Sequence, residues 1–74
     1  MLSALMKRKR DSEVAVGQRY RKRDAQLIVW EVISVFVGTD GMPYAGIVRV
    51  DDRTMRKTVA SAALSGGTQY QRVR

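Results

Sequence analysis

Among the residues that could do chemistry, the cations are the most regularly spaced. Arg19, Arg21 and Arg23 recur at every second position, the period at which side chains leave one face of a β-strand. With Tyr20 turned inward, their guanidinium groups form an outer ridge with steps of about 6.5 Å. Successive phosphates of a nucleic-acid strand lie at a comparable separation, so such a ridge can make several charge contacts at once. Lys22 lies at the same strand end. Arg72 and Arg74 would join the ridge if the first and last strands pair. A second basic group, Lys7, Arg8, Lys9 and Arg10, is contiguous. Runs of this kind add sequence-independent, salt-sensitive attraction to phosphates.

Catalytic chemistry has a poorer basis. The chain has no histidine and no cysteine, which removes the commonest general base near neutral pH and the commonest zinc ligands. The acids are Asp11, Glu13, Asp24, Glu31, Asp40, Asp51 and Asp52. Only Asp51 and Asp52 are adjacent, beside Arg53 in a turn-like stretch. An exposed pair lacks the burial that separates two carboxyl groups into acid and base roles. Ser34, Ser61 and Ser65 have no histidine to activate them. Gly66-Gly67 is not followed by the Lys-Ser/Thr of a phosphate loop. The sequence therefore predicts no catalytic residues, no metal, no cofactor and no enzyme.

The elements that must position the cations follow from the apolar pattern. Leu27 to Val37 is nearly all β-branched, aromatic or aliphatic, the composition of a strand. Ile28, Trp30 and Val32 alternate with Leu27, Val29, Glu31 and Ile33, so both faces are largely apolar. A strand this long is expected to bend, with a bulge near Ser34 letting Val35 or Phe36 re-enter the core. Asp40-Gly41 reads as a two-residue hairpin turn. Tyr44–Val50 makes a third strand, with Tyr44, Gly46, Val48 and Val50 on one face. The Asp51–Thr54 stretch is expected to cap its own backbone, and Met55 to Ala60 is a fourth strand. Ser61–Leu64 reads as one helical turn stopped by Gly66-Gly67, before a last strand from Thr68 to Arg74.

Five short strands and a one-turn helix predict an all-β fold, a small five-stranded SH3-like barrel over residues 16–74. Residues 1–15 read as a flexible basic N-terminal arm. Seventy-four residues without cysteine sit near the lower limit for a core that folds without staples. Trp30 and Phe36 are assigned to that core. Tyr44 and Tyr70 are the rings best able to stay partly wet and stack on a base. No stretch has the length or composition of a membrane span or signal peptide, and the expected location is cytoplasmic.

The order of segments resembles that of small uncharacterised bacterial SH3-like barrel proteins. The similar stretches are Val16-Gly-Gln-Arg-Tyr20, Ile28-Val-Trp-Glu-Val-Ile-Ser-Val35, Ala45-Gly-Ile-Val48, Arg56-Lys-Thr-Val59 and Gln69-Tyr-Gln-Arg-Val73. The likeness covers about three-quarters of the chain, omits the arm and implies a fold without implying an active site.

Fourteen Lys/Arg against seven Asp/Glu give a formal charge of +7, which favours polyanionic partners. The expected function is a non-enzymatic binding module that contacts DNA or RNA phosphates weakly and without sequence preference. Neutralising about five phosphates would give a log–log salt slope near −4 on duplex. The alternative is a protein-interaction module. Leu27, Val29, Ile33 and Val37 would form an apolar outer patch that docks an acidic protein or a second copy of the chain.

Overall fold

The computed structural model describes residues 13–73. Its strands are β1 (Arg19–Lys22), β2 (Ala25–Val37), β3 (Pro43–Arg49), β4 (Arg56–Ala60) and β5 (Tyr70–Val73). A single short helix, α1 (Ser61–Ser65), lies between β4 and β5. The strands form one antiparallel sheet in the order β4-β3-β2-β1-β5. First and last strands pair, as expected. The sheet is nevertheless not closed into a barrel: β4 and β5 are its two edges, with no ladder between them. What lies between those edges is α1, which contacts β3, β4 and β5. Five residues of helix occupy the place where a closing ladder would run.

β2 is the long central strand and is paired at different heights on its two sides. β1 meets it from Ala25 to Glu31, while β3 meets it from Trp30 to Val37. The two-residue turn is Arg23-Asp24, between the paired residues Lys22 and Ala25. The Asp40-Gly41 connection is longer than a two-residue turn. The Gly41 N–H donates to Gly38 O, and the Gly38 N–H donates to Met42 O. Gly41 takes φ +81° there, a backbone conformation that glycine adopts without steric cost. The β3–β4 turn caps itself as expected, with the Thr54 N–H and hydroxyl both donating to Asp52 Oδ1.

The core lies on one face of the sheet under α1. Tyr20, Trp30, Val32, Ala45, Ile47, Leu64 and Tyr70 are buried together, with Val14, Ile28 and Val59 packed against them. The inward residues of β3 are thus Ala45 and Ile47. Of the face expected from the sequence, Val48 is also buried but lies outside that cluster. Val14 contacts the core, and Gln18 Nε2 donates to the Glu13 carbonyl. The folded body therefore starts before the expected boundary at residue 16.

The bulge falls where the sequence placed it. Val32 pairs with Ile47 and Ser34 with Gly46, leaving Ile33 as the extra residue. The insertion turns Val35 and Val37 to the same side as their partners Ala45 and Pro43. The expected re-entry into the core does not follow. Val35 is 45 % exposed, because the packing ends at Val32 and Ala45. Phe36 is also outside the core. It is turned to the opposite face, 46 % exposed, and stacks on Tyr44 at a ring separation of 5.9 Å.

This division of the apolar residues has an energetic consequence. Ile47→Ala should cost about 2–5 kcal/mol, a large part of the ~5–15 kcal/mol typical of a domain. Phe36→Ala should cost clearly less, since water already reaches its ring. Urea denaturation of the two variants checks the order, and a Phe36→Ala loss equal to that of Ile47→Ala would return Phe36 to the core.

Candidate nucleic-acid interface

Strand register carries a row of side chains across the face opposite the core. Val73, Arg19, Glu31, Val48 and Arg56 are successive partners through β5, β1, β2, β3 and β4. The next row holds Gln71, Arg21 and Val29. Two arginines of the expected ridge, Arg19 and Arg21, therefore share this face. Arg56 joins them from β4, and Arg53 reaches over from the β3–β4 turn. Glu31 is the single acid among the strand residues of this face. Arg53 Nη2 lies 2.9 Å from Glu31 Oε1, and Arg19 Nη2 lies 3.4 Å from the same oxygen. Val48, flanked by Glu31 and Arg56, is only 2 % exposed. Long charged side chains lay their aliphatic stems over apolar surface in this way.

One carboxylate thus serves two guanidinium groups. The hydrogen bond from Arg53 holds the Glu31 carboxyl below its ordinary range against the opposing effect of desolvation, with the charges of Arg53 and Arg19 adding to it. About half of each guanidinium-bearing side chain stays in contact with water, while Glu31 is more covered. Arg21 has no ion pair or side-chain hydrogen bond among the described residues. Arg56 Nε makes a long 3.4 Å contact with the Arg53 carbonyl. The face therefore carries four guanidinium groups around one carboxylate.

The other expected members of the ridge lie elsewhere. Arg23 falls in the β1–β2 turn, where its Nε donates to Gly67 O at 2.7 Å and its backbone N–H to Gln69 O at 2.9 Å. Lys22 pairs with Tyr70, and Arg72 with Tyr20. Both ladder partners are core residues, so Lys22 and Arg72 belong to the core side of the sheet. Pairing of β1 with β5 did occur, but its register turns Arg72 away from Arg19 and Arg21. Arg72 Nε is buried without a hydrogen-bond partner among the described residues. Arg74 and the run Lys7, Arg8, Lys9 and Arg10 lie outside the described residues.

Two cations on the core side, Lys57 and Arg49, are engaged individually. Lys57 Nζ sits 4.6 Å from the centre of the Trp30 ring and 5.7 Å from that of Tyr70, a cation–π arrangement. Arg49 forms a bidentate pair with Asp51 at 2.9 Å for each bond, which lowers the Asp51 carboxyl from its usual range. Positive charge is present on both faces: Arg21 and Arg56 on the outer one, and Lys22 and Arg72 on the core side, make no ion pair among the described residues.

The aromatic expectation changes as well. Tyr70 is 2 % exposed and cannot accept a stacked base. Tyr44 is occupied by Phe36 on its ring and by Asp40, whose Oδ2 accepts from its hydroxyl at 2.6 Å. That hydrogen bond raises the Tyr44 hydroxyl and lowers the Asp40 carboxyl from their ordinary values. The four apolar residues of the alternative patch are also separated. Leu27 juts out, 97 % exposed, from the irregular stretch where the β1–β2 register shifts. Val29 lies in the row of Arg21, Ile33 is the bulge residue, and Val37 has crossed to the core side.

Sequence reading missed Arg53 and Arg56. Arg56 had a usable signal, since a tight turn between β3 and β4 sets Val48 opposite it. Arg53 had none, because its contact with Glu31 depends on how far the turn leans back over β2. Among the described residues, no group of three or more acids could hold a metal ion, and no helix is long and apolar enough to cross a membrane. In comparison with known proteins, no family model, no curated protein and no solved structure matches the chain.

The shared carboxylate gives a pH-dependent component to stability. Because the folded pKa of Glu31 is lowered, its contribution is fully present above the unfolded value and is lost as pH falls through the folded one. Glu31→Gln should remove this component and flatten part of the acid limb of stability against pH. Urea midpoints measured in steps through the acid range would show it. An unchanged limb would mean that Glu31 is not held by the two arginines in solution.

Proposed function

We propose that this protein is a small SH3-like, non-enzymatic module whose outer sheet face binds nucleic-acid phosphates. Support for the SH3-like reading is the strand order, the pairing of first and last strands, and the single helical turn before β5, although the sheet is open. The observation that carries the binding reading is the placement of Arg19, Arg21, Arg53 and Arg56 on a face whose strands hold one acid, Glu31. Guanidinium groups on a twisted sheet face can each meet a phosphate without reading a base, so the attraction is general and strongly salt-dependent. No base-stacking ring stands among these arginines, which supports backbone contact over readout of single-stranded bases. Lys7 to Arg10 would add further phosphate contacts from the N-terminal side.

Salt dependence tests the assignment. With three or four phosphates neutralised, this face should contribute about −3 to the log–log slope on duplex DNA. Arg21→Ala with Arg56→Ala should make the slope shallower by about 2 and leave the fold intact, because neither side chain enters the core. Replacing Lys7 to Arg10 by alanine separates the contribution of that run. Glu31→Gln should act in the opposite sense, releasing Arg19 and Arg53 and tightening binding. Filter-binding titrations that show no affinity at low salt, or a slope indifferent to Arg21 and Arg56, would overturn the proposal.

A further inference from the structure

The sheet leaves a third edge besides those of β4 and β5. β1 stops pairing with β2 at Glu31, and the last contacts on that side are the Val32 N–H to Gln18 O and the Gly17 N–H to Val32 O bonds. Beyond them, Ser34 to Val37 are paired to β3 alone. Backbone groups that point away from β3 along this stretch have no protein partner among the described residues.

The three edges differ in how they are guarded. β4 carries Arg56 and Lys57, and β5 carries Arg72. Cations of this kind discourage the addition of a further strand. The free part of β2 reads Ile33-Ser-Val-Phe-Val37, with no charge, no proline and no glycine. Its side chains are exposed on both faces: Ile33 38 %, Val35 45 %, Phe36 46 % and Val37 69 %. On the core side, Val35, Val37 and Pro43 line an open groove of about 420 Å³ that also includes Val14, with Glu13, Ser61 and Ser65 as its polar members. A strand laid along this edge would satisfy the backbone and cover the apolar residues in one step.

Charge selects the occupant. Among the described residues, no cation lies along the edge to attract an acidic peptide or a phosphate, and the acid of the groove, Glu13, would repel both. The fitting occupant is an uncharged, β-branched strand that pairs antiparallel. Within the described sequence, the other strands all carry charge or proline, and the free half of β2 itself meets the description. An antiparallel strand paired with its own copy about a twofold axis is self-complementary by symmetry. We propose that the chain forms a homodimer in which Ser34 to Val37 of two copies pair edge to edge, joining two five-stranded sheets into one. This inference does not depend on the phosphate-binding proposal.

Sedimentation of the full, nuclease-treated chain at high salt tests it, since salt suppresses both charge repulsion and bridging by nucleic acid. The parent should sediment as a dimer. Val35→Lys with Val37→Lys should sediment as a monomer with an unchanged circular dichroism spectrum, both side chains being already exposed. Hydrogen exchange of the parent at rising concentration should show new protection at alternate amides between Ile33 and Val37. A parent that stays monomeric over the full concentration range would overturn the proposal. So would a dimer that is indifferent to both lysines, or one whose new protection falls on β4 or β5. Should the lysine pair unfold the chain, the exchange pattern of the parent decides alone.

Discussion

The staggered pairing of β2 sets most of what this molecule is. Thirteen residues of one strand are held by β1 over the first part and by β3 over the second, with both neighbours present only near Trp30 and Glu31. Hydrogen-bond ladders are obligatory for buried backbone, so burial is densest where β2 has partners on both sides. Tyr20, Trp30, Val32 and Ile47 gather there on one face, and Arg19, Glu31, Val48 and Arg56 gather on the other. Core and basic face are the two sides of the same overlap.

The remainder of β2 follows from the same offset. After Val32 the strand has lost β1, and α1 with Leu64 does not reach far enough to cover it. The Ile33 bulge turns Val35 and Val37 to the core side, but both stay exposed. Small domains have little surplus apolar surface to distribute. Here that surface is divided between a closed end near Trp30 and an open end near Phe36.

Much of this arrangement could be read from residue types. Alternation and turn residues together located the five strands, the β-branched run marked β2, and an apolar stretch too long for one flat face implied the bulge. Asp52 punctuated the chain through its carboxylate, and Gly67 through a positive φ that glycine adopts without steric cost. What could not be read was long-range. Closure of the barrel depends on whether β4 and β5 approach one another, and no local pattern encodes the space that α1 takes up. The ridge of Arg19, Arg21 and Arg23 was right in its period for two members. Arg23 failed because β1 ends at Lys22 and Arg23 stands in the turn, and Arg72 failed because register, not proximity in the sheet order, decides which face a side chain takes. Phe36 was misplaced for a similar reason: one inserted residue reverses the alternation downstream.

Trp30 is the sole indole of the chain and is buried, with Lys57 above its ring and no acceptor for its Nε1–H among the described residues. It is also the residue at which the ladders from β1 and β3 meet. Its fluorescence therefore has one origin, at the junction of the sheet. An ammonium group over the ring and a dry indole nitrogen both leave optical signatures that vanish when water enters. The emission maximum of the untouched protein becomes a built-in gauge of whether the two halves of the sheet are still joined.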